Sequence, residues 1–171
     1  MLKCLYLIQA DNKLPEIYDC LRDKDFILLS YAEETEDTDI FYPNSTWTTG
    51  RNKLREYALS LKEEYDYYIC LDEDIVFDPD EEADFNTLEG LLLEYKPFIA
   101  VPYLIDYPEY RFNNLKTEAQ STINFDGAFV CFSKKSFIDN KLFPYVDIFD
   151  DKNWWNSQMI LIRLCKFYYN N

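Results

Sequence analysis

Three consecutive carboxylates stand between two apolar runs in Tyr67-Tyr68-Ile69-Cys70-Leu71-Asp72-Glu73-Asp74-Ile75-Val76-Phe77. In an extended strand, residues i and i+2 share a side, so Asp72 and Asp74 are expected to project together from a strand end. Two carboxylates held that close repel unless a cation lies between them or one takes a proton. Hard oxygen ligands of this kind suit Mg²⁺, Mn²⁺ or Ca²⁺. A divalent ion there is well placed to grip a diphosphate, so the motif points to metal-dependent chemistry on a phosphorylated or nucleotide substrate. The plain alternative is an acidic loop after a strand. Against it, Ile75, Val76 and Phe77 bracket the acids with apolar residues, beside which an unpartnered charge is costly. An EF-hand is excluded: counting from Asp72, positions five and six are Val76 and Phe77, and position twelve is Ala83.

The elements that must position these acids follow from the rest of the pattern. Leu2–Gln9 reads as a strand covered on both faces, Leu14–Arg22 as a short helix and Asp25–Tyr31 as a second strand. Ala32–Asp39 is an acidic loop. Thr48 or Thr49 can cap a helix reaching about Glu64, with Leu54, Tyr57, Ala58 and Leu61 at i, i+3, i+4, i+7. The carboxylate strand follows. Asp78-Pro79-Asp80-Glu81-Glu82 then has the signature of a helix start, and that helix continues through Leu88–Tyr95 to the break at Lys96-Pro97. Phe98–Leu104 is a further strand, and Asp106–Ser121 a polar segment suited to a substrate loop. Thr122–Ser133 is a strand or hairpin centred on Asp126-Gly127-Ala128, and Trp154–Tyr169 a final helix. Strands alternating with helices predict one α/β domain over residues 1–171, with a mostly parallel sheet. Ligands in such sheets bind beyond the carboxyl ends of strands, where Asp72 and Asp74 are expected.

Composition narrows the chemistry. The formal net charge of −15 argues against nucleic-acid binding and against docking on an anionic membrane. The absence of histidine removes Ser-His-Asp and Cys-His catalysis and every His-ligated zinc site. Catalysis must therefore use carboxylates, a metal, Arg, Lys or Tyr. The odd set Cys4, Cys20, Cys70, Cys131 and Cys165 has no paired spacing. Cys4, Cys70 and Cys131 lie in apolar strand-like runs, which predicts buried free thiols and a reducing, cytoplasmic compartment. Met1–Ile8 is too short for a signal peptide, and no apolar run is long enough to span a membrane.

Two families share features with this pattern. Haloacid-dehalogenase-type phosphatases also place Asp-x-Asp at a strand end. On that reading Asp72 is the nucleophile, Asp74 the acid, and Asp150-Asp151 the later metal ligands. That family's motif follows its first strand, whereas two strands and a long helix precede Asp72 here. The chain more closely resembles glycosyltransferases of the GT-A fold, in three segments and in their order. Tyr67–Val76 resembles the strand and DxD motif of that fold. Ser45-Thr46-Trp47-Thr48-Thr49-Gly50-Arg51-Asn52-Lys53-Leu54 is similar to the Arg-Asn segment opening the preceding helix. Asp126-Gly127-Ala128 with the apolar run and Lys134-Lys135 resembles the acceptor-side strand.

The resemblance implies a GT-A-like (Rossmann-like) sheet flanked by helices. It also implies transfer of a hexose-type sugar from a UDP- or GDP-linked donor to a hydroxyl acceptor, with Mn²⁺ or Mg²⁺. Asp74 is then the main metal ligand, Asp72 contacts the metal or the donor ribose, and Arg51 pairs with phosphate or with a ligating carboxylate. Inverting members carry Glu-Asp at the head of the last helix, where this chain has Ser157-Gln158. Gln158 cannot take a proton, so base function passes to Asp126, Asp150 or Asp151. Otherwise the enzyme is retaining, or the chain binds without turnover. Trp47 and Trp154-Trp155 are open to sugar or base stacking or to core packing, and Tyr103, Tyr107 and Tyr110 to lining an acceptor cleft.

Overall fold

A computed structural model describes residues 2–11, 20–75, 84–102 and 125–169. The first strand, β1 (Cys4–Ala10), is buried along its whole length, as an apolar run covered on both faces must be. Then come β2 (Asp25–Ser30), β3 (Ile40–Phe41), α1 (Trp47–Ser60) and β4 (Tyr67–Asp72). The remainder is α2 (Phe85–Tyr95), β5 (Ile99–Ala100), β6 (Phe129–Ser133), the short α3 (Lys134–Phe137) and α4 (Trp155–Tyr169). The expected helix starts at Leu14 and Asp78, and Tyr103, Tyr107 and Tyr110, lie outside the described residues.

The strands form one sheet in the order β3-β2-β1-β4-β6-β5. β1, β2, β3 and β4 pair in parallel, while β6 is antiparallel to both β4 and β5. The expectation of a mostly parallel sheet is corrected to a mixed one. Among the described residues five strands point one way, but the one reversed strand, β6, lies inside the sheet and makes both of its pairings antiparallel. The reversal follows from where β6 begins: the Asp126–Ala128 turn lies at the edge where β4 ends, with the Asp72 N–H donating to the Ala128 carbonyl at 2.9 Å.

Strand alternation sorts the core into two layers. Leu5, Leu7, Cys70, Val130 and Phe132 meet Leu54 and Ala58 of α1 and Leu161 and Ile162 of α4 on one face. Tyr6, Ile8, Ile69, Leu71, Phe129 and Cys131 meet Phe85 and Leu92 of α2 on the other. Tyr68 and Phe137 stack with centroids 4.0 Å apart. Cys4, Cys70 and Cys131 are buried free thiols, as expected, and burial pushes the Cys131 thiol well above its ordinary pKa. Among the described residues no helix is long and apolar enough to cross a membrane.

Helix boundaries differ from expectation for local reasons. Thr46, not Thr48 or Thr49, caps α1: its side chain accepts from the Thr49 N–H, and the Thr49 hydroxyl accepts from the Thr46 N–H. Tyr57 turns outward, and the buried face of α1 is Thr48, Gly50, Arg51, Leu54 and Ala58. Asp84 caps α2 by accepting from the Thr87 N–H at 2.7 Å, which holds its carboxyl below the usual range. A depressed folded pKa means that the stabilisation is present at neutral pH and fades as pH falls through that value. Chemical denaturation of Asp84→Ala at pH 7 is therefore expected to show a loss of about 1 kcal/mol. That deficit shrinks below about pH 4, as the wild-type carboxyl itself protonates.

Candidate functional site

β1 and β4 lie side by side, with Gln9 opposite Asp72 at their carboxyl ends. β2 continues the sheet on one side of β1 and β4 on the other. This is the kind of switch point outside which α/β sheets bind ligands.

β4 stops at Asp72. Glu73-Asp74 form a turn closed by the Ile75 N–H on the Asp72 carbonyl at 3.4 Å. The expectation that strand alternation projects Asp72 and Asp74 together is therefore corrected: the turn sends each acid its own way. Glu73 accepts from the Asp11 N–H at 2.5 Å and from the Tyr31 hydroxyl at 2.7 Å, tying β4 to the ends of β1 and β2. Asp74 is exposed. Asp72 turns inward and ion-pairs with Arg51, and it accepts from the Trp47 indole N–H at 3.1 and 3.2 Å.

Arg51 is 1 % exposed, so it lies within the fold beneath Asp72 and not at the surface. Its guanidinium also donates to the carbonyls of Leu7 and Ala128 at 3.4 Å, and it lies 5.5 Å over the Trp47 ring. Burial works most strongly against the Arg51 charge, but Asp72, Cys70 and Tyr145 together outweigh it, and the Arg51 pKa stands above its ordinary value. Burial pushes the Asp72 carboxyl up, against the pull of Arg51 and the Trp47 hydrogen bond, and the nearby Asp74 charge adds to the rise. Gly50 makes this packing possible. A Cβ there would lie 2.4 Å from the Gln9 amide, which donates to the Thr46 carbonyl at 3.1 Å. The helix start, the Asp72 seat and the end of β1 thus interlock.

The three segments singled out in the sequence converge on one atom. Both Arg51 of α1 and the backbone of Asp72 donate to the carbonyl of Ala128. The candidate bases are less uniform. Asp126 is buried and accepts from the Ala128 N–H at 2.8 Å, the signature of a turn-forming Asp. Asp150 accepts from the hydroxyls of Thr48 (2.8 Å), Ser157 (3.1 Å) and Thr46, clasping the start of α1 to the start of α4. Only Asp151 of the three is exposed. Gln158 has no exposed surface, and neither end of its amide finds a partner among the described residues. It abuts Gly127, whose missing Cβ would lie 2.9 Å from Gln158 Oε1 and 3.0 Å from the Trp47 ring.

Trp47 is the residue whose role the sequence understated. Its N–H grips Asp72, while its ring packs on Tyr145 and Trp154 with centroids 5.6 and 5.5 Å away. The signal was its i, i+4 spacing from Arg51 on one helix face. Trp154 stacks in turn on Trp155 at 5.3 Å and remains 38 % exposed. Gln9 and Tyr31 carried no sequence signal at all.

Among the described residues no group of three or more His, Cys, Asp or Glu side chains is arranged to hold a metal ion. The donor set at the strand end is one exposed carboxylate, Asp74, beside one oriented carboxylate, Asp72. Of these two, Asp72 is engaged by Arg51 and Trp47, and Asp74 alone faces solvent. The chain matches no family model, no curated protein and no solved structure.

Proposed function

We propose that this protein binds a UDP- or GDP-linked sugar with Mn²⁺ or Mg²⁺ at the carboxyl end of β4, as a GT-A-like glycosyltransferase. The observation that carries the reading is the meeting of Arg51, Asp72 and Ala128 on one carbonyl. Three segments far apart in the chain resemble one family in order, and they also build one locus. In this reading Arg51 does not touch the donor. It neutralises and orients Asp72, with Trp47 fixing the second oxygen. Asp74, exposed at the adjacent turn, is the principal metal ligand. A cation held by Asp74 would supply charge neutralisation to a nucleoside diphosphate leaving group. The GT-A assignment of the mixed sheet belongs to this proposal as well.

A specific observation favours a second reading, donor binding without turnover. The position where inverting relatives carry a base holds a fully buried Gln158, and Asp126 and Asp150 are engaged in a turn and a clasp. The phosphatase alternative is disfavoured, because a nucleophilic Asp72 would need the oxygens that Arg51 and Trp47 occupy. Incubation with UDP- and GDP-sugars and Mn²⁺ separates the readings. Metal-dependent release of UDP or GDP marks an enzyme, whereas saturable donor binding without release marks the binding protein. Absence of both overturns the proposal.

A further inference from the structure

All three tryptophans of the chain meet at the candidate site. Trp47 and Trp154, far apart in the sequence, pack with ring centroids 5.5 Å apart, and Trp155 stacks on Trp154 at 5.3 Å. None of the three is fully buried, and Trp154 is 38 % exposed. Indole surface left in water is costly, and several such rings together are the kind of patch that marks a binding site. The patch begins at the strand end, because the Trp47 indole N–H holds Asp72. It lies on the β6 side of β4: a Cβ on Gly127, in the turn before β6, would lie 3.0 Å from the Trp47 ring. Its surroundings are polar. Asp151 and Asn153, just ahead of Trp154, are exposed. Gln158, one turn on from Trp154 and Trp155, adjoins Trp47 at Gly127, and both ends of its buried amide are unpartnered among the described residues.

We infer that this tryptophan patch is the acceptor subsite and that the acceptor is a carbohydrate, an inference that rests on the donor reading above. Transfer brings an acceptor hydroxyl to about 3–3.5 Å from the reacting carbon of the donor, so the acceptor must adjoin the Asp72–Asp74 turn. Toward β1 and β2 that turn is flanked by polar contacts, with Glu73 reaching Asp11 and Tyr31. That side is the switch point, over which the nucleoside of a donor is expected to extend. Toward β6 the turn is flanked by the tryptophans. A pyranose matches such a surface. Its C–H faces pack on aromatic rings, and the hydroxyls at its edge suit carboxylate and amide partners such as Asp151 and Asn153. A serine or threonine hydroxyl brings no ring to cover three indoles. The unpartnered amide of Gln158 costs stability in the free protein, as expected of a polar group whose partner arrives with a ligand.

Because every tryptophan lies in the patch, the intrinsic fluorescence of the full chain reports on this site. Titration with maltose, cellobiose, lactose and chitobiose, in the absence of donor, tests the assignment. At least one is expected to change the emission saturably. Trp154→Ala is expected to weaken that response at least about ten-fold with the far-ultraviolet circular dichroism unchanged, and Trp154→Phe, which keeps a ring, to stay within about three-fold of wild type. No saturable response to any of the four sugars, or equal responses from wild type and Trp154→Ala, would overturn the inference. So would a response to UDP or GDP alone that Trp154→Ala abolishes, which assigns the patch to the donor base. The metal-dependent thermal shift with a UDP- or GDP-sugar is read separately. That shift without any sugar response refutes the carbohydrate acceptor and leaves the donor reading intact, whereas sugar binding without the shift refutes the donor reading and keeps the patch as a carbohydrate site.

Discussion

Asp72→Leu is expected to lower the unfolding free energy by about 3–5 kcal/mol, because it strands the Arg51 cation inside the fold. Arg51 is 1 % exposed, so water cannot replace the lost partner, and its remaining acceptors are two backbone carbonyls at 3.4 Å. Removing the other half of the pair costs less. The Asp72 side chain is 22 % exposed and keeps the Trp47 N–H, so Arg51→Met leaves a carboxylate that can hydrate. The double variant Arg51→Met/Asp72→Leu removes both charges and is expected to recover much of the loss, giving strongly non-additive single effects. Denaturant melts of the four proteins read this directly. For a chain of this length the Asp72→Leu deficit corresponds to a fall in melting temperature on the order of 10 °C. Additive effects would mean that the pair is not the unit the structure describes.

Asp150→Ala is expected to cost about 3 kcal/mol, whereas Asp151→Ala stays within about 0.5 kcal/mol of wild type. The two neighbours look alike in sequence and were grouped as candidate bases. The fold separates them. Asp150 accepts from Thr46, Thr48 and Ser157, and the last two residues are 0 % and 1 % exposed. Its loss leaves the buried Thr48 hydroxyl without its acceptor, while Ser157 keeps the Val146 carbonyl, and releases the head of α4 from the head of α1. Asp151 points into solvent. Comparable stability of the two variants would refute the clasp.

This contrast shows what was legible in the chain. Local signals were: the apolar run of β1, the carboxylate strand, the helix that places Arg51 before it, and the buried thiols. Pairing direction was not. β6 runs against β4 along a ladder from Tyr67–Ser133 to Leu71–Phe129, between residues about 60 apart in the numbering, and no periodicity encodes it. The strand argument for Asp72 and Asp74 failed for a related reason. It assumed that the strand continued, whereas the backbone turns at Glu73 to meet Asp11 and Tyr31. Arg51 pairing with Asp72 was foreseeable from chemistry, but its complete burial was not. An arginine on a polar helix face reads as solvated until Gly50 is seen closing that face onto Gln9. Trp47 was legible as an aromatic near the site and illegible as the donor that holds Asp72.

The central claim is that Asp74, beside an Asp72 set by Arg51, recruits a metal for a nucleotide-sugar. A thermal-shift panel of UDP- and GDP-sugars, with and without Mn²⁺, on wild type and Asp74→Asn tests it most directly. A ligand at a hundred-fold its Kd stabilises by about 2.7 kcal/mol, well within reach of such a melt. The account predicts stabilisation of the wild type only when donor and metal are both present, and none for Asp74→Asn. Equal stabilisation of the variant, or no shift of the wild type with any donor and metal, would contradict it.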